Sequence, residues 1–365
     1  MSKASKSKYI LVINPGSTST KVAIYEGEKK IKFYNIYHSN EELEEYEKVI
    51  DQYQYRLDLI YDWLKEENID TKLLKVVVGR GGILRPMSPG TYIVTEKMVE
   101  DLRVGIGSEH AANLGGLLAK GIGDREGIKS YIVDPISVDE FEHVARISGL
   151  KDIERKSQVH ALNIRAVSHR RAKELCKDLE ELNFVVAHLG GGISICSVKG
   201  GKMIDTNNAS EMGPFSPERT GVLPVGDLVD MCYSGKYTLE DMKKKIKGKG
   251  GLMSYLGTLD GRVVENRIDA GDEYTKLIYD AMIYQIGKEI AAYSTVLKGK
   301  VDNIILTGGL AFSNYLVDNV KQMVEFIAEV VVYPGEDEMA ALKDGVLRVI
   351  RGEEKVRIYE DEVMI

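Results

Sequence analysis

The sequence predicts an α/β protein built from two duplicated domains, and three observations carry that expectation. Tyr9 to Tyr25, YILVINPGSTSTKVAIY, is an apolar run that breaks on Asn14-Pro15-Gly16, crosses four hydroxyl residues to Lys21 and resumes with alternating apolar residues. That is the pattern of two strands joined by a polar turn. Phe184 to Thr206, FVVAHLGGGISICSVKGGKMIDT, repeats the punctuation: an apolar run, a glycine turn, a second run, a break at Gly200-Gly201 and a third run. His188 falls 174 residues after Asn14, Gly190 falls 174 after Gly16, and Gly201 falls 174 after Gly27. A turn that recurred by chance would not bring the next strand and the next turn with it, so the pattern reads as a duplicated β-β-β unit, one per domain. Two such units facing each other would enclose a phosphate-binding cleft. The length of 365 residues agrees, because single cores stop growing at roughly 250 to 300 residues.

The remaining elements alternate as in layered α/β proteins. After the first hairpin unit, Glu41 to Asn68 carries apolar residues at helical spacing (Leu43, Tyr46, Val49, Ile50, Tyr53) among charges, which predicts a helix. Lys75 to Val78 is a short β-branched strand entering Gly79-Arg80-Gly81-Gly82. Ser108 to Lys120 reads as a helix stopped at Gly121, and Tyr131 to Val133 as a buried strand leading into Asp134-Pro135. A helix over Leu162 to Glu180 precedes the second hairpin unit. Tyr274 to Leu297 makes a long amphipathic helix, Asn303 to Leu306 a strand ending at Thr307-Gly308-Gly309, and Glu338 to Arg351 a closing helix. The tail Lys355 to Ile365, alternating and partly apolar, suits either an interface strand or a cover for the final helix. Four strand ends thus deliver glycine or acid, at Gly16, Asp134, Gly190 and Gly308. Ligands gather at such ends because bare amides and helix N-termini point there.

Composition narrows the function. A net charge of -7 and an isoelectric point near 5.6 leave no basic footprint for nucleic acid. Lys and Glu are interspersed, as on a solvated surface. Cys176, Cys196 and Cys232 are odd in number and widely spaced. They argue for a reducing compartment, against a disulfide framework or zinc site, and read as small core residues. Behind the basic start MSKASKSK the apolar run is only Tyr9 to Ile13, too short for a signal-peptide core or a membrane span. The sequence therefore reads as soluble and cytoplasmic, with no membrane partner. No segment carries a P-loop or an HExxH zinc motif.

The turn after Asn14 has the composition of a phosphate-handling hairpin. Gly16 lets the backbone approach a ligand closely, Ser17 and Ser19 set small hydroxyls beside free amides, and Lys21 adds charge. The same residues also make an ordinary polar β-turn; the second copy at Gly190, Gly191 and Gly192 favours the ligand reading. Eight short motifs in order, NPGSTSTK, GRGG, VDP, QVHALN, HLGGG, PERTG, LDGR and TGGLAFS, resemble those of the acetate and butyrate kinase family, within the actin, sugar-kinase and Hsp70 superfamily. The likeness runs from about Tyr9 to Met339, and NPGSTSTK together with Glu109 to Gly115 resembles the butyrate-using members most. It implies two duplicated domains of the actin/ribonuclease H-like type around a central cleft. Residues 1–152, completed by 338–365, would form one domain, and 153–337 the other, with most of the nucleotide site. A homodimer or higher homo-oligomer is implied as well.

The activity this resemblance implies is reversible transfer of a phosphoryl group from ATP to a short carboxylic acid, with ATP/ADP and Mg²⁺ as cofactors. Such transfer needs cations to hold two anions together and donors aimed at the moving phosphoryl group. Arg80 and Arg219 suit that task, since a guanidinium fork matches planar anions. His188 matches the family's donor to the phosphoryl oxygens and His160 its second active-site histidine, while His38, His110, His143 and His169 read as structural or surface residues. Asp134, Glu338 and Asn14 are the candidates for placing the metal, with Glu338 in an acidic turn Glu336-Asp337-Glu338. Asp260 and Arg262, with Gly308, Gly309 and Asn314, would border the adenosine. Acetate kinases carry Phe before the histidine that matches His160, whereas Val159 stands here. The smaller side chain, with a shorter-looking loop from Asp205 to Arg219, would enlarge the acyl pocket toward butyrate or a similar branched acid. Acetate or propionate is the alternative substrate. A sugar kinase, which would need an Asp as base toward a hydroxyl, and a nucleotide-switched binding protein like actin or Hsp70 are more distant alternatives.

Overall fold

The computed structural model describes residues 7–363; Met1 to Lys6 of the basic start, and Met364 and Ile365 of the tail, lie outside the described residues. The chain divides into two compact units, Met1–Asp139 with Asp337–Ile365, and Glu140–Glu336.

In the first unit, β1 (Tyr9–Pro15), β2 (Ser19–Glu26) and β3 (Lys29–Tyr37) form an antiparallel meander. Beside it lie β4 (Leu74–Arg80), β5 (Thr91–Ile93) and β6 (Lys129–Val133), giving a six-stranded sheet in the order β3-β2-β1-β4-β6-β5. β1, β4 and β6 run parallel. Covered on both faces, β1 buries every residue from Ile10 to Pro15, the near-continuous apolar run expected of a central parallel strand. Ile60, Trp63 and Leu64 of the helix Tyr53–Glu66 and Leu114, Leu117 and Leu118 of the helix Asn113–Glu126 share one core with Leu11, Ile13 and Val77.

The second unit repeats the plan. β7 (Asn183–Leu189), β8 (Ile193–Lys199) and β9 (Lys202–Thr206) form the meander, and β10 (Asn303–Gly308) and β11 (Val330–Pro334) continue parallel to β7 in the order β9-β8-β7-β10-β11. The long helix Glu273–Val296 packs Met282, Ile286 and Ile290 into one core with Val185, Ala187 and Leu306. Strand register refines the internal repeat. Asn14 pairs with Lys21, whereas His188 pairs with Ser194, so the second turn is one residue shorter. The offset of 174 holds along β1 and β7 and becomes 173 from β2 and β8 onward. Gly27 then corresponds to Gly200, not Gly201, and both have φ near that of a left-handed turn, 57° and 54°.

Several expected boundaries move, each for a visible reason. The helix expected over Ser108 to Lys120 spans Asn113–Glu126 and passes through Gly121. Gly127, with φ 67°, ends it. Gly121 packs against Tyr53, since a Cβ there would sit 2.0 Å from its hydroxyl and push the ring aside. Glu41 to Asn68 is broken into the helix Asn40–Glu44, a 3-10 turn Val49–Gln52 and the helix Tyr53–Glu66. The helix expected to reach Glu180 spans Ala161–Glu174, and Cys176 beyond it adopts a left-handed φ of 53°. Only Cys196 is a core residue; Cys176 and Cys232 are exposed. In the tail, Arg357 exchanges backbone hydrogen bonds with Thr91 and Ile93, and buried Tyr359 donates to Asp101 on the helix Glu96–Val104 at 2.9 Å. The described tail therefore packs on β5 and that helix. Among the described residues, no helix is long and apolar enough to cross a membrane.

Two consequences can be measured. Helix Asn113–Glu126 crosses β4 so closely that a Cβ on Gly115 would lie 2.3 Å from the Arg80 carbonyl oxygen. Gly115→Ala should therefore lower stability by about 1 to 3 kcal/mol, the usual cost of overpacking, read from urea unfolding midpoints. His38 is buried, with Nε2 2.9 Å from Thr20 Oγ1 and Nδ1 3.1 Å from Tyr55 Oη. Burial, and then the charge of Arg56, push its pKa down to about 4. The unfolded chain takes up that proton near pH 6.5, so it binds more protons than the folded chain between there and about pH 4. Stability should fall across this window as pH drops, by up to about 3 kcal/mol from this group. Urea titrations at several pH values should show a shallower fall for His38→Gln; an unchanged slope would exclude the neutral buried ring.

Candidate active site

In the first unit, register aligns the chemistry. Ile13 pairs with Gly79 and Arg80 with Val133, which sets Asn14, Arg80 and Asp134 side by side at the carboxyl ends of β1, β4 and β6. Glu338, buried at the start of the helix Glu338–Arg351, joins two of them. Its Oε2 accepts from Asn14 Nδ2 at 2.5 Å, and its Oε1 pairs with the Arg80 guanidinium. A carboxylate is favoured there by the helix dipole, and Asp337 caps the same helix by accepting from the Ala340 amide at 2.9 Å. Asp134 takes a left-handed φ of 39°, and its Oδ1 accepts from the Gly90 amide at 2.8 Å. Asp134 and Glu338 with Asn14 offer carboxylate and amide oxygens. That donor set fits a hard divalent cation, which is commonly held by one or two carboxylates with waters and phosphates. Among the described residues no cluster of three or more His, Cys, Asp or Glu side chains forms a self-contained metal cage.

The β1–β2 turn is closed by the Gly16 amide donating to the Ser19 carbonyl at 2.7 Å, leaving Ser17 exposed and Gly16 and Ser19 half-buried. Lys21 stands opposite Asn14. Beneath the turn lies Arg56, a residue the sequence reading missed, 1% exposed. It falls on the buried stripe of its helix with Ile60, Trp63 and Leu64, and a charge on an apolar stripe is the signal that could have found it.

The second unit gathers the histidines. His188, 3% exposed near the end of β7, stacks on His160 with ring centroids 3.9 Å apart and planes 10° from parallel. The Nδ1 of His160 is 2.8 Å from Ser194 Oγ, and Ser194 is the residue paired with His188 across the hairpin. Ser194 also went unnoticed in the sequence. Glu336 Oε2 lies 3.8 Å from His188 Nε2. Arg219 lies over the glycine turn: a Cβ on Gly192 would lie 2.1 Å from its Nη1, so a larger residue there would displace the guanidinium. Its Nη1 donates to the Ala209 carbonyl at 2.6 Å, its Nε is 3.6 Å from Glu218, and burial holds its pKa below the ordinary arginine range. Ser216 locks the loop to the turn, its hydroxyl donating to the Gly191 carbonyl at 2.5 Å and accepting from the Arg219 amide at 3.2 Å.

Beside this turn is a cavity of about 580 Å³, of a size suited to a small-molecule ligand. Gly190 and Gly191 form part of its wall, Asp260 and Arg262 another, and Gly309, Leu310 and Phe312 a third. Asp260 accepts from the Arg262 amide at 2.9 Å and from its guanidinium at 2.7 Å, and this pairing draws the Asp260 carboxyl down to about 2. Gly192, Gly308 and Asn314 do not line the cavity. Gly308 instead lets β10 approach β7, since a Cβ there would sit 2.4 Å from the Leu189 carbonyl oxygen.

The model of the acetokinase family matches residues 150–343. The chain is 56% identical over 350 residues to probable butyrate kinase 2 of Caldanaerobacter subterraneus subsp. tengcongensis, covering 96% of this chain and 99% of that one. It is 52% identical over 352 residues to butyrate kinase 1 of Clostridium acetobutylicum, with coverage of 96% and 99%. Among solved structures, the acetate kinase of Porphyromonas gingivalis shares the fold with a TM-score of 0.78 at 20% identity, covering 93% of this chain and 99% of that one. The propionate kinase of Francisella tularensis does so with a TM-score of 0.75 at 16% identity, covering 93% and 98%. With its relatives matched along nearly the whole of both chains, this protein belongs to the acetokinase family.

Proposed function

We propose that this protein is an ATP-dependent carboxylate kinase that converts butyrate, or a similar short or branched acid, reversibly to its acyl phosphate and ADP. The observation that carries this reading is the identity above one half, over 96% of the chain, to relatives named as butyrate kinases. A carboxylate oxygen attacks the γ-phosphorus and forms the new P–O bond as the bond to the β–γ bridging oxygen breaks. The acid is already ionised at neutral pH, so no base is required. What the residues must supply is charge and aim.

Arg219, held rigidly over the second glycine turn, would bind the transferring phosphoryl oxygens, and Arg80 the acid. His188 would donate a hydrogen bond to the same phosphoryl group, steadied by its stack on His160, which Ser194 orients. The nucleotide would occupy the cavity between the Gly190–Gly191 turn and the Asp260–Arg262 segment. The turn of Gly16, Ser17 and Ser19 with Lys21 would serve as a phosphate-binding turn, and Gly192 would keep the second turn open to Arg219. Mg²⁺, held through Asn14, Asp134 and Glu338, would neutralise the β- and γ-phosphate oxygens. The chain would work in the cytoplasm as a homodimer or higher homo-oligomer.

Trapping product with hydroxylamine tests the reaction: ATP, Mg²⁺ and butyrate should yield a hydroxamate, which neither a sugar kinase nor a nucleotide switch would form. In the same assay Arg219→Ala should lower kcat/KM by about two to four orders of magnitude with little loss of folding. Near-normal turnover of a soluble Arg219→Ala protein would remove that residue from the mechanism.

Val159, 3% exposed beside His160, tests the acid preference. Val159→Phe should cost butyrate turnover about 1 to 3 kcal/mol more than acetate turnover, shifting the ratio of kcat/KM about 5- to 100-fold toward acetate. A ratio that stays put, or moves toward butyrate, would show that Val159 does not face the acyl chain.

A further inference from the structure

Arg56 is a buried cation whose hydrogen-bonding partners are all uncharged. Its Nη1 donates to the carbonyls of Gly16 at 2.8 Å and Ser19 at 3.3 Å and to Thr20 Oγ1 at 3.0 Å. Its Nη2 donates to the Ser17 carbonyl at 3.2 Å and to Gln52 Oε1 at 2.7 Å, and its Nε reaches the same Gln52 oxygen at 3.1 Å. Thr20 is shared with His38, a ring that stays neutral at physiological pH because burial and the Arg56 charge oppose its protonation. Burial in turn lowers the pKa of Arg56 to about 10, which leaves it charged.

An unpaired buried charge is costly to the fold, so its placement beneath one particular turn calls for a reason. Peptide geometry supplies one. In a trans peptide the C=O and the following N–H point in opposite directions. Drawing the carbonyls of Gly16 and Ser17 onto Arg56 therefore turns the amides of Ser17 and Thr18 the other way, toward the exposed face of the turn. Successive amides aimed outward make an anion-binding nest. Lysine could not replace the fork, because one ammonium cannot meet carbonyls on both sides of its axis in a fixed plane.

We propose that Arg56 is a positioning residue for nucleotide phosphates. It holds the Gly16–Ser19 turn with the Ser17 and Thr18 amides presented to them, and the bound phosphates supply the negative charge that Arg56 lacks. This rests on the reading of the turn as a phosphate site. The test is initial-rate kinetics with ATP varied at saturating butyrate and the reverse, on Arg56→Gln, Arg56→Lys and Gln52→Ala proteins. Gln52→Ala removes an anchor of the guanidinium without touching the turn. For Arg56→Gln, kcat/KM for ATP should fall about 10- to 100-fold, the range for losing a partner one layer behind a ligand, while KM for butyrate stays within about twofold. Arg56→Lys should not restore it, and Gln52→Ala should shift it in the same direction by less.

A purely structural buckle would lower the melting temperature without separating the two substrates. Hydrogen exchange of wild type, measured over residues 14–20 with and without ADP and Mg²⁺, distinguishes the two ways of failing. No added protection there would overturn the phosphate reading and this inference with it. Protection in wild type, with ATP kinetics unchanged in the variants, would overturn the role of Arg56 alone. If Arg56→Gln does not fold, Gln52→Ala decides the matter by the same criterion.

Discussion

In both sheets carbonyls of the first hairpin turn are tied to a buried or half-buried side chain, and in a trans peptide a carbonyl tied to one side leaves the following amide facing the other. The units do this with different side chains. Arg56 gathers the carbonyls of Gly16, Ser17 and Ser19 in the first, and the Ser216 hydroxyl takes the Gly191 carbonyl in the second. The rest of each half-site follows from where that turn stands. It begins at the carboxyl end of a strand whose parallel neighbour ends alongside, so Arg80 arrives next to Asn14, and Thr307 next to His188.

The duplication preserved the frame and altered the contents. Where the first unit has Asn14 opposite Lys21, the second has His188 opposite Ser194, an imidazole and the hydroxyl that steadies its neighbour His160 in place of an amide and an ammonium. The second turn, one residue shorter, also has side chains close over it. A Cβ on Gly190 would come within 3.1 Å of His188 Nε2 and one on Gly192 within 2.1 Å of Arg219, whereas the nearest atom to a Cβ on Gly16 would be 3.5 Å away. A side chain at Gly190 or Gly192 would thus have to displace His188 or the Arg219 guanidinium, whereas one at Gly191 would meet only ordinary contacts. In the first turn a small side chain would find room.

The strands of the hairpin units and the repeated turn were legible because they are written in local periods and in glycine punctuation, as in β1, β2, β7 and β8. Elements without either signal were not. The helix Val225–Tyr233 buries none of its residues, so no core contact fixes it, while Val330–Pro334 does carry a β-branched run ending at Pro334-Gly335 and was passed over. Gly121 misled because a glycine packed against Tyr53 looks the same in sequence as one that ends a helix. The histidines and arginines of the candidate site could be named through motifs, but their partners could not. Glu338 meets Asn14 across a separation of 324 residues, and nothing local marks the pairing.

Net charge is a poor guide to what such a chain can bind. With -7 overall, a polyanionic nucleotide should be repelled. Surface charges, however, are screened over about 8 Å at physiological ionic strength, while buried ones are screened far less. The local balance at the first turn therefore governs. Arg80 is matched by Glu338, and Asp134 by the Gly90 amide, but Arg56 meets only carbonyls, a hydroxyl and an amide oxygen. If Arg56 holds the turn as proposed, its charge is carried through the turn by peptide dipoles whose positive ends emerge at Ser17 and Thr18. An acidic protein would then keep a locally positive turn by burying the cation, where salt screens it far less than a surface charge.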